Sequence, residues 1–318
     1  MNPFVDLATL AVAVQQSGYI ADPKVITALY LAYHLGKPLL LEGEPGVGKT
    51  ELSYVAAKLL GHDEPIRLQC YEGLDVNLTT YDWNFRKQLL YLEATKQQPQ
   101  AWEQMQDNLY GYDFLSQRPI LKALLSPTTH VLLVDELDKA EEDLEALLLE
   151  VLSSHQVSIP ELGTVHAVSK PLVILTSNAQ RELSDATRRR CLYLYLDYPS
   201  MERELQIVYA RLPMVNDLLA TQVVSLTQKL RTLDLKKVPA IAETLDWVKA
   251  LLILNTGSLT PDVVQATLNL VLKYQEDIAT VTAKLPTLLK GLPQVAAKVD
   301  RPELSPQLQV TSEAEWQF

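Results

Sequence analysis

The chain has 318 residues, 47% hydrophobic and 21% charged, which is enough for two domains and a large core in an ordinary globular protein. Its formal charge of −11 disfavours partners bound through phosphate neutralisation, so nucleic acid is not the expected ligand. The two cysteines, Cys70 and Cys191, form no CxxC and have no histidine at ligand spacing, so they read as reduced, partly buried thiols.

In chain order, the opening "MNPFVDLATLAVAV" lacks a basic n-region and is interrupted by Asp6, so it does not read as a signal peptide. No run approaches the ~20 apolar residues that span a bilayer, and no membrane insertion is expected. Together these features point to the cytoplasm. From Lys24 to Leu35, "KVITALYLAYHL" has apolar residues at helical spacing. Gly36 ends that helix, and Pro38 opens a strand over Leu39–Glu42. "TELSYVAAKLL" reads as a helix stopped by Gly61, and Pro65–Cys70 as a short strand.

Residues 71–118 read as irregular and aromatic, with Tyr71, Tyr81, Trp83, Phe85, Tyr91, Trp102, Tyr110, Tyr112 and Phe114. Thr129–Glu136, "THVLLVDE", is apolar until its end, as a central parallel strand would be. "EEDLEALLLEVLSS" places Leu144, Leu147, Leu148, Val151 and Leu152 on one helical face. "QVSIPELGTVHAV" suggests two short strands around a Gly163 turn. Pro171–Asn178 and Cys191–Pro199 are the fourth and fifth core strands. Strands alternating with helices indicate a parallel sheet covered on both faces. From Ser200 to about Leu292 only helical periodicity remains, with breaks at Pro213, Pro239, Gly257 and Pro261.

Gly43-Glu44-Pro45-Gly46-Val47-Gly48-Lys49-Thr50 fits GxxxxGK[ST] between a strand and a helix, the context this motif requires. Glycine-exposed N–H groups and a helix N-terminus can wrap a phosphate chain, and Glu51 lies in the first helical turn. Lys49 can reach the β- and γ-phosphates, and the Thr50 hydroxyl can bind Mg²⁺. The third strand delivers Asp135 and Glu136 to the edge where open α/β sheets bind ligands. Asp135 can hold Mg²⁺, while Glu136 can orient or deprotonate the attacking water. Asn178 at the end of the fourth strand reads either as a contact to the γ-phosphate and water or as a turn residue. Arg188, Arg189 and Arg190 read either as a solvated cluster or as an arginine finger serving a neighbouring subunit. His155 and His166, which flank the Gly163 turn, read as structural.

These motifs resemble an AAA+ ATPase. Within that superfamily the chain is similar to the MoxR family, nearest its CoxD-like branch of carbon monoxide dehydrogenase maturation ATPases. The resemblance is carried by "GEPGVGKTEL", "IRLQCYEGLDVNLTTYDWNFRKQLLYL", "RPILKALL", "VLLVDELDKAEEDLEALLLEVLSSHQVSIPELGTV" and "ILTSNAQRELSDATRRRCLYLYLDYPS".

It implies an α/β three-layer P-loop NTPase domain over 1–199 and makes the small all-helical domain over 200–295 its lid; the tail over 296–318, with Pro302 and Pro306 and little periodicity, reads as flexible or as a docking segment. Residues 71–90 correspond to a helix-2 insert and 155–168 to a pre-sensor-1 hairpin. Lys49 and Thr50 match Walker A, Asp135 and Glu136 Walker B, and Asn178 sensor 1. Arg190 aligns best with the finger, followed by Arg189.

The resemblance further implies ATP and Mg²⁺ as cofactors, a homo-hexameric ring, a partner with a von Willebrand factor A (VWA) domain, and a metalloenzyme client. One departure stands out: where the family often has a sensor-2 arginine, this chain has Glu243, with Lys249 a poorer substitute. The leading expectation is therefore an ATP-driven remodelling chaperone. Its rivals are a nucleic-acid motor or GTP-driven restriction subunit, and a nucleotide-gated scaffold. The aromatic segment is net acidic and reads as core packing or as a protein-binding surface.

Overall fold

The computed structural model describes residues 3–75, 77–96 and 102–302. Its elements begin with α1 (Leu7–Gln16), α2 (Pro23–Leu35), β1 (Leu39–Gly43), α3 (Lys49–Leu59) and β2 (Ile66–Gln69). Next come α4 (Asn77–Thr80), β3 (Tyr81–Trp83), α5 (Phe85–Thr95), α6 (Trp102–Leu109), β4 (Leu115–Gln117) and α7 (Pro119–Leu124). The sheet resumes with β5 (Val131–Asp135), α8 (Glu142–Ser154), β6 (Gln156–Ile159), β7 (Gly163–His166), β8 (Leu172–Ser177), α9 (Asp185–Arg190) and β9 (Leu192–Leu196). Five further helices are α10 (Met201–Arg211), α11 (Asp217–Arg231), α12 (Ile241–Ile253), α13 (Pro261–Val271) and α14 (Gln275–Lys290). Two compact units result. One comprises Thr27–Glu42 and Ala56–Tyr195 with the N-terminal residues up to Phe4; the other comprises Val5–Ile26, Gly43–Val55 and the chain from Leu196 onward.

The first unit is organised by a five-stranded sheet of order β2-β5-β8-β1-β9. The pairs β2–β5, β5–β8 and β8–β1 are parallel. Every residue of β1, β5 and β8 is buried, because a parallel sheet is covered on both faces. The apolar runs in the sequence are these strands, shifted by a residue or two at their ends. Parallel pairing also brings the C-terminal ends to one edge, where Gln69 is level with Asp135 and Glu42 with Ser177.

Residues 71–118 depart from the irregular stretch expected. They hold α4, α5, α6 and the antiparallel pair β3–β4, in which Asp82 faces Ser116. The sequence pattern hid α5 because its polarity is inverted: it buries Gln88, whose amide donates to the Leu109 carbonyl at 2.7 Å, and exposes Phe85, Leu89 and Leu90. Trp83 and Phe114 are buried, and Tyr81, Tyr91 and Tyr110 pack against the core, while Tyr71 and Tyr112 stand exposed. Val76 lies outside the described residues. The β6–β7 hairpin alternates as a half-buried ribbon should. Val157, Ile159 and Val165 face the core, and Gly163 sits at φ +77°, where a side chain would be strained.

In the second unit α10–α14 surround a core that includes Leu205, Val223, Trp247, Leu268 and Val281. Asp6 stands immediately before the N-terminal helix. It caps α1 by accepting the Thr9 N–H at 2.7 Å, which holds its carboxyl below the usual range. Pro261 opens α13, so the break expected there falls at the first residue of that helix. Beyond α14, Ala297 and Val299 pack on the helical core, and Arg301 donates to the Pro213 and Val215 carbonyls while pairing with Asp217 at 2.6 Å. The expected flexible tail otherwise falls on 303–318, outside the described residues.

A buried fork joins three of these helices. Arg231 grips both oxygens of Glu204 at 2.6 and 2.7 Å, and the Thr244 hydroxyl donates to the same carboxylate at 2.8 Å. Both charged side chains are almost fully buried, so neither can be lost alone without exposing the other to an apolar interior. Arg231→Met is expected to destabilise the protein by ~3–5 kcal/mol in chemical denaturation. Adding Glu204→Leu to that variant should restore much of the loss.

Candidate functional site

The phosphate-type loop belongs to the second unit. β1 runs straight into residues 44–48, and α3 opens at Lys49. The loop's glycines are dictated by space and backbone. A Cβ on Gly43 would lie 2.3 Å from the Leu196 carbonyl oxygen, and Gly46 at φ +77° would place a Cβ 2.7 Å from that of Ala240. Gly48 sits at φ +95° beside Tyr19, whose hydroxyl donates to the Gly48 carbonyl at 3.3 Å. Burial, and then the nearby Glu51 carboxylate, raise the Tyr19 phenol far above its ordinary value, so it remains a donor.

Lys49 is 6% exposed, and its ammonium donates to the Gly43 and Glu44 carbonyls at 2.6 and 2.8 Å. Pro45 and Val47 complete the turn, with Val47 buried. The Thr50 carbonyl accepts from Ser53 at 2.6 Å, and Glu51 pairs with Arg211 at 2.6 Å.

Ala240 immediately precedes α12. Glu243, three residues on, accepts the Ala240 N–H at 3.1 Å, so the residue standing where an arginine was expected caps this helix. Lys249 is exposed further along α12.

In the first unit the acids gather at the end of β5. Asp135 is 3% exposed and accepts from the Thr176 hydroxyl at 2.6 Å and from Arg67 Nη2 and Nε at 2.6 and 3.1 Å. Glu136 adopts a left-handed backbone at φ 58°, a strain of ~1–2 kcal/mol for a residue with a Cβ. Its N–H is secured by Thr176 Oγ1 at 2.8 Å. The Glu136 carboxylate accepts from Lys139 Nζ at 2.8 Å and Gln69 Nε2 at 2.9 Å on one oxygen, and from Asn178 Nδ2 at 3.3 Å on the other. Asp138 is also buried and accepts the Asn178 and Gln180 N–H groups at 3.1 and 3.0 Å.

Asp135, Glu136 and Asn178 are therefore gathered at one edge. Burial, followed by the Asp135, Asp138 and Glu136 carboxylates, pushes the Cys70 thiol up to about 12, while burial alone does the same for Cys191. Both sulfurs remain neutral thiols. His155 ends α8 in a left-handed conformation at φ 49°, and His166 is an exposed hairpin residue.

The three arginines of α9 have separate fates. Arg188 pairs with Glu42 at 2.9 Å. Arg190 is tied by its Nε to Ser153 Oγ at 2.7 Å. Arg189 extends outward with its side chain 83% exposed and Asp185 4.0 Å away. The other end of α9 is fixed by buried Glu145, which accepts from Ser184 N–H at 2.9 Å and Thr187 Oγ1 at 3.0 Å and pairs with Arg181 at 2.7 Å.

Arg67, Gln69, Thr176, Lys139 and Asp138 were not anticipated. Asp138 and Lys139 lie two and three residues after Glu136 in "DELDK", which was the available signal. The other three become visible only once β2, β5 and β8 are in register.

Residues 38–191 match the family model of the AAA domain, dynein-related subfamily. The chain thus carries an AAA+ ATPase domain, whose general chemistry is nucleotide binding and hydrolysis. The match begins just before β1 and ends just before β9, leaving the helices from α10 onward outside it. A sequence search of the curated proteins found no match.

Among the described residues no group of three or more His, Cys, Asp and Glu side chains converges as a metal site. Mg²⁺ nevertheless fits the donors present, because it favours one or two protein oxygens together with substrate phosphates and water.

Gly46→Val would place a branched side chain at a positive φ and against Ala240. ATP-analogue affinity, measured by fluorescence titration, should fall at least ~10-fold, with Gly46→Ala less affected. For Glu145, burial raises the pKa, but hydrogen bonds from Ser184, Arg181 and Thr187 outweigh it and hold the group below its ordinary value. The stability it lends is complete above the unfolded-state pKa of about 4.3 and is lost as pH falls through the folded value. Glu145→Gln should flatten that acid limb of a denaturation-against-pH series.

Proposed function

We propose that the protein is an ATP-hydrolysing chaperone of MoxR type that remodels or activates a client protein. The observation carrying the hydrolytic part is the Glu136 carboxylate at the sheet edge, with the Asn178 amide on one oxygen and Lys139 and Gln69 on the other. In this reading the loop 43–50 wraps the triphosphate and Lys49 turns its ammonium to the β- and γ-phosphates. Thr50 and Asp135 hold Mg²⁺, which when bound offsets phosphate charge. Glu136 orients the attacking water and takes its proton, with Asn178 fixing the geometry. A homo-hexameric ring would bring an arginine from the neighbouring subunit to the γ-phosphate. Arg189, which extends outward with its side chain 83% exposed, takes that role ahead of Arg190, which is tied to Ser153.

The surface of residues 71–118 favours a protein client. Phe85, Leu89, Leu90 and Tyr112 are exposed there, in a chain of formal charge −11. Apolar anchors suit a protein surface, whereas a nucleic-acid motor needs a basic track. A VWA-domain partner and maturation of a metal-containing enzyme follow from the MoxR resemblance. Among the described residues no helix is long and apolar enough to cross a membrane.

Lys49→Ala should abolish ATP binding in equilibrium titration; micromolar affinity in that variant would count against the loop's assignment. Glu136→Gln should bind ATP and, in a pull-down from the source cells, retain a protein partner only when ATP is present. DNA-stimulated turnover that weakens with salt would instead favour the motor.

A further inference from the structure

We propose that the Glu42–Arg188 ion pair couples the phosphate loop of one subunit to the arginine that this subunit presents to its neighbour. This rests on the reading that α9 serves the adjacent subunit. Glu42 is the residue immediately before Gly43, at the buried end of β1 after Leu39, Leu40 and Leu41. A fourth apolar residue would satisfy that strand, and a buried ion pair is often no more stabilising than its hydrophobic replacement. The position carries a carboxylate all the same, and both of its oxygens are used. Arg188 Nη2 donates to Oε2 at 2.9 Å and the Tyr193 hydroxyl to Oε1 at 3.1 Å, while the guanidinium lies 5.7 Å from the Tyr193 ring centre. The Glu42 side chain is only 10% exposed, so the charge cannot turn to water instead.

Arg188 is the residue beside Arg189 on a helix of six residues. The N-terminal end of that helix is pinned by Glu145, and Arg190 is tied to Ser153. The Glu42 contact is a third hold on this short helix, at the residue next to Arg189, and contributes to the direction in which Arg189 extends. Glu42 is also joined by one peptide bond to the phosphate loop. A loop that shifts when phosphate arrives displaces the Glu42 carboxylate and carries Arg188, and with it Arg189, to a new position. By reciprocity, an Arg189 engaged by a neighbour acts back on the loop. Arg188 is thus a positioning residue, not one that touches nucleotide.

The test measures ATP hydrolysis and equilibrium ATP-analogue binding on the full chain for Arg189→Ala, Arg188→Met, Arg188→Lys and Glu42→Gln. Arg189→Ala should lose ~10³-fold or more in kcat while keeping its nucleotide affinity. Arg188→Met should lose ~10-fold in kcat, with KM and affinity within about twofold. Its Hill coefficient for ATP should fall to about 1. Arg188→Lys should recover part of the loss. Glu42→Gln keeps the side chain's size and one acceptor oxygen but removes the charge and the second acceptor; it should reproduce the loss of cooperativity, which carries the test should Arg188→Met fail to fold. Wild-type kcat and cooperativity in Arg188→Met or Glu42→Gln, with Arg189→Ala inactive, would overturn the coupling alone. Loss of nucleotide affinity in step with kcat would also overturn it, by making the pair a local support of the loop. Wild-type turnover in Arg189→Ala would instead remove the underlying reading of α9.

Discussion

Three carboxylates crowd the end of a fully buried strand, and the need to hold them there organises everything around β5. Asp135, Glu136 and Asp138 would repel one another and resist desolvation if left alone. Each instead meets its own donors: Thr176 and Arg67 for Asp135, Lys139, Gln69 and Asn178 for Glu136, and two backbone N–H groups for Asp138. Those donors come from β2, from β8 and the turn after it, and from the turn that follows β5. The acid cluster is therefore affordable only when the order β2-β5-β8 is in place, and fold and chemistry are satisfied by the same hydrogen bonds.

The phosphate loop answers to a different constraint, which is space. Gly43 and Gly46 are required because the Leu196 carbonyl and the Ala240 methyl leave no room for a Cβ. Ala240 is in turn held by Glu243, and the start of α12 is tied through Thr244 to the buried Glu204–Arg231 fork. A loop packed in this way against the helical segment cannot rearrange without disturbing that segment.

The parts legible in the sequence were those in which chemistry and local pattern coincide. The apolar runs of β1, β5 and β8, the glycine loop and the adjacent pair Asp135-Glu136 are all short-range signals. Gln69 and Arg67 were not legible, because an amide and a guanidinium on β2 become partners of β5 only through strand register. The helix α5 escaped because it buries Gln88 and exposes Leu89 and Leu90, the reverse of the usual amphipathic pattern. Residue pattern alone could not separate the three consecutive arginines, and the resemblance put Arg190 before Arg189; their difference in the structure lies in Glu42, 146 residues from Arg188, and Ser153, 37 from Arg190.

The most direct measurement is a structure of the protein with a non-hydrolysable ATP analogue and Mg²⁺. The expected result is a triphosphate enclosed by residues 43–50, the cation shared by Thr50 and Asp135, and the Glu136 carboxylate directed at a water in line with the γ-phosphate. A nucleotide bound away from that loop, or a Glu136 side chain turned from the γ-phosphate with no water between them, would contradict it.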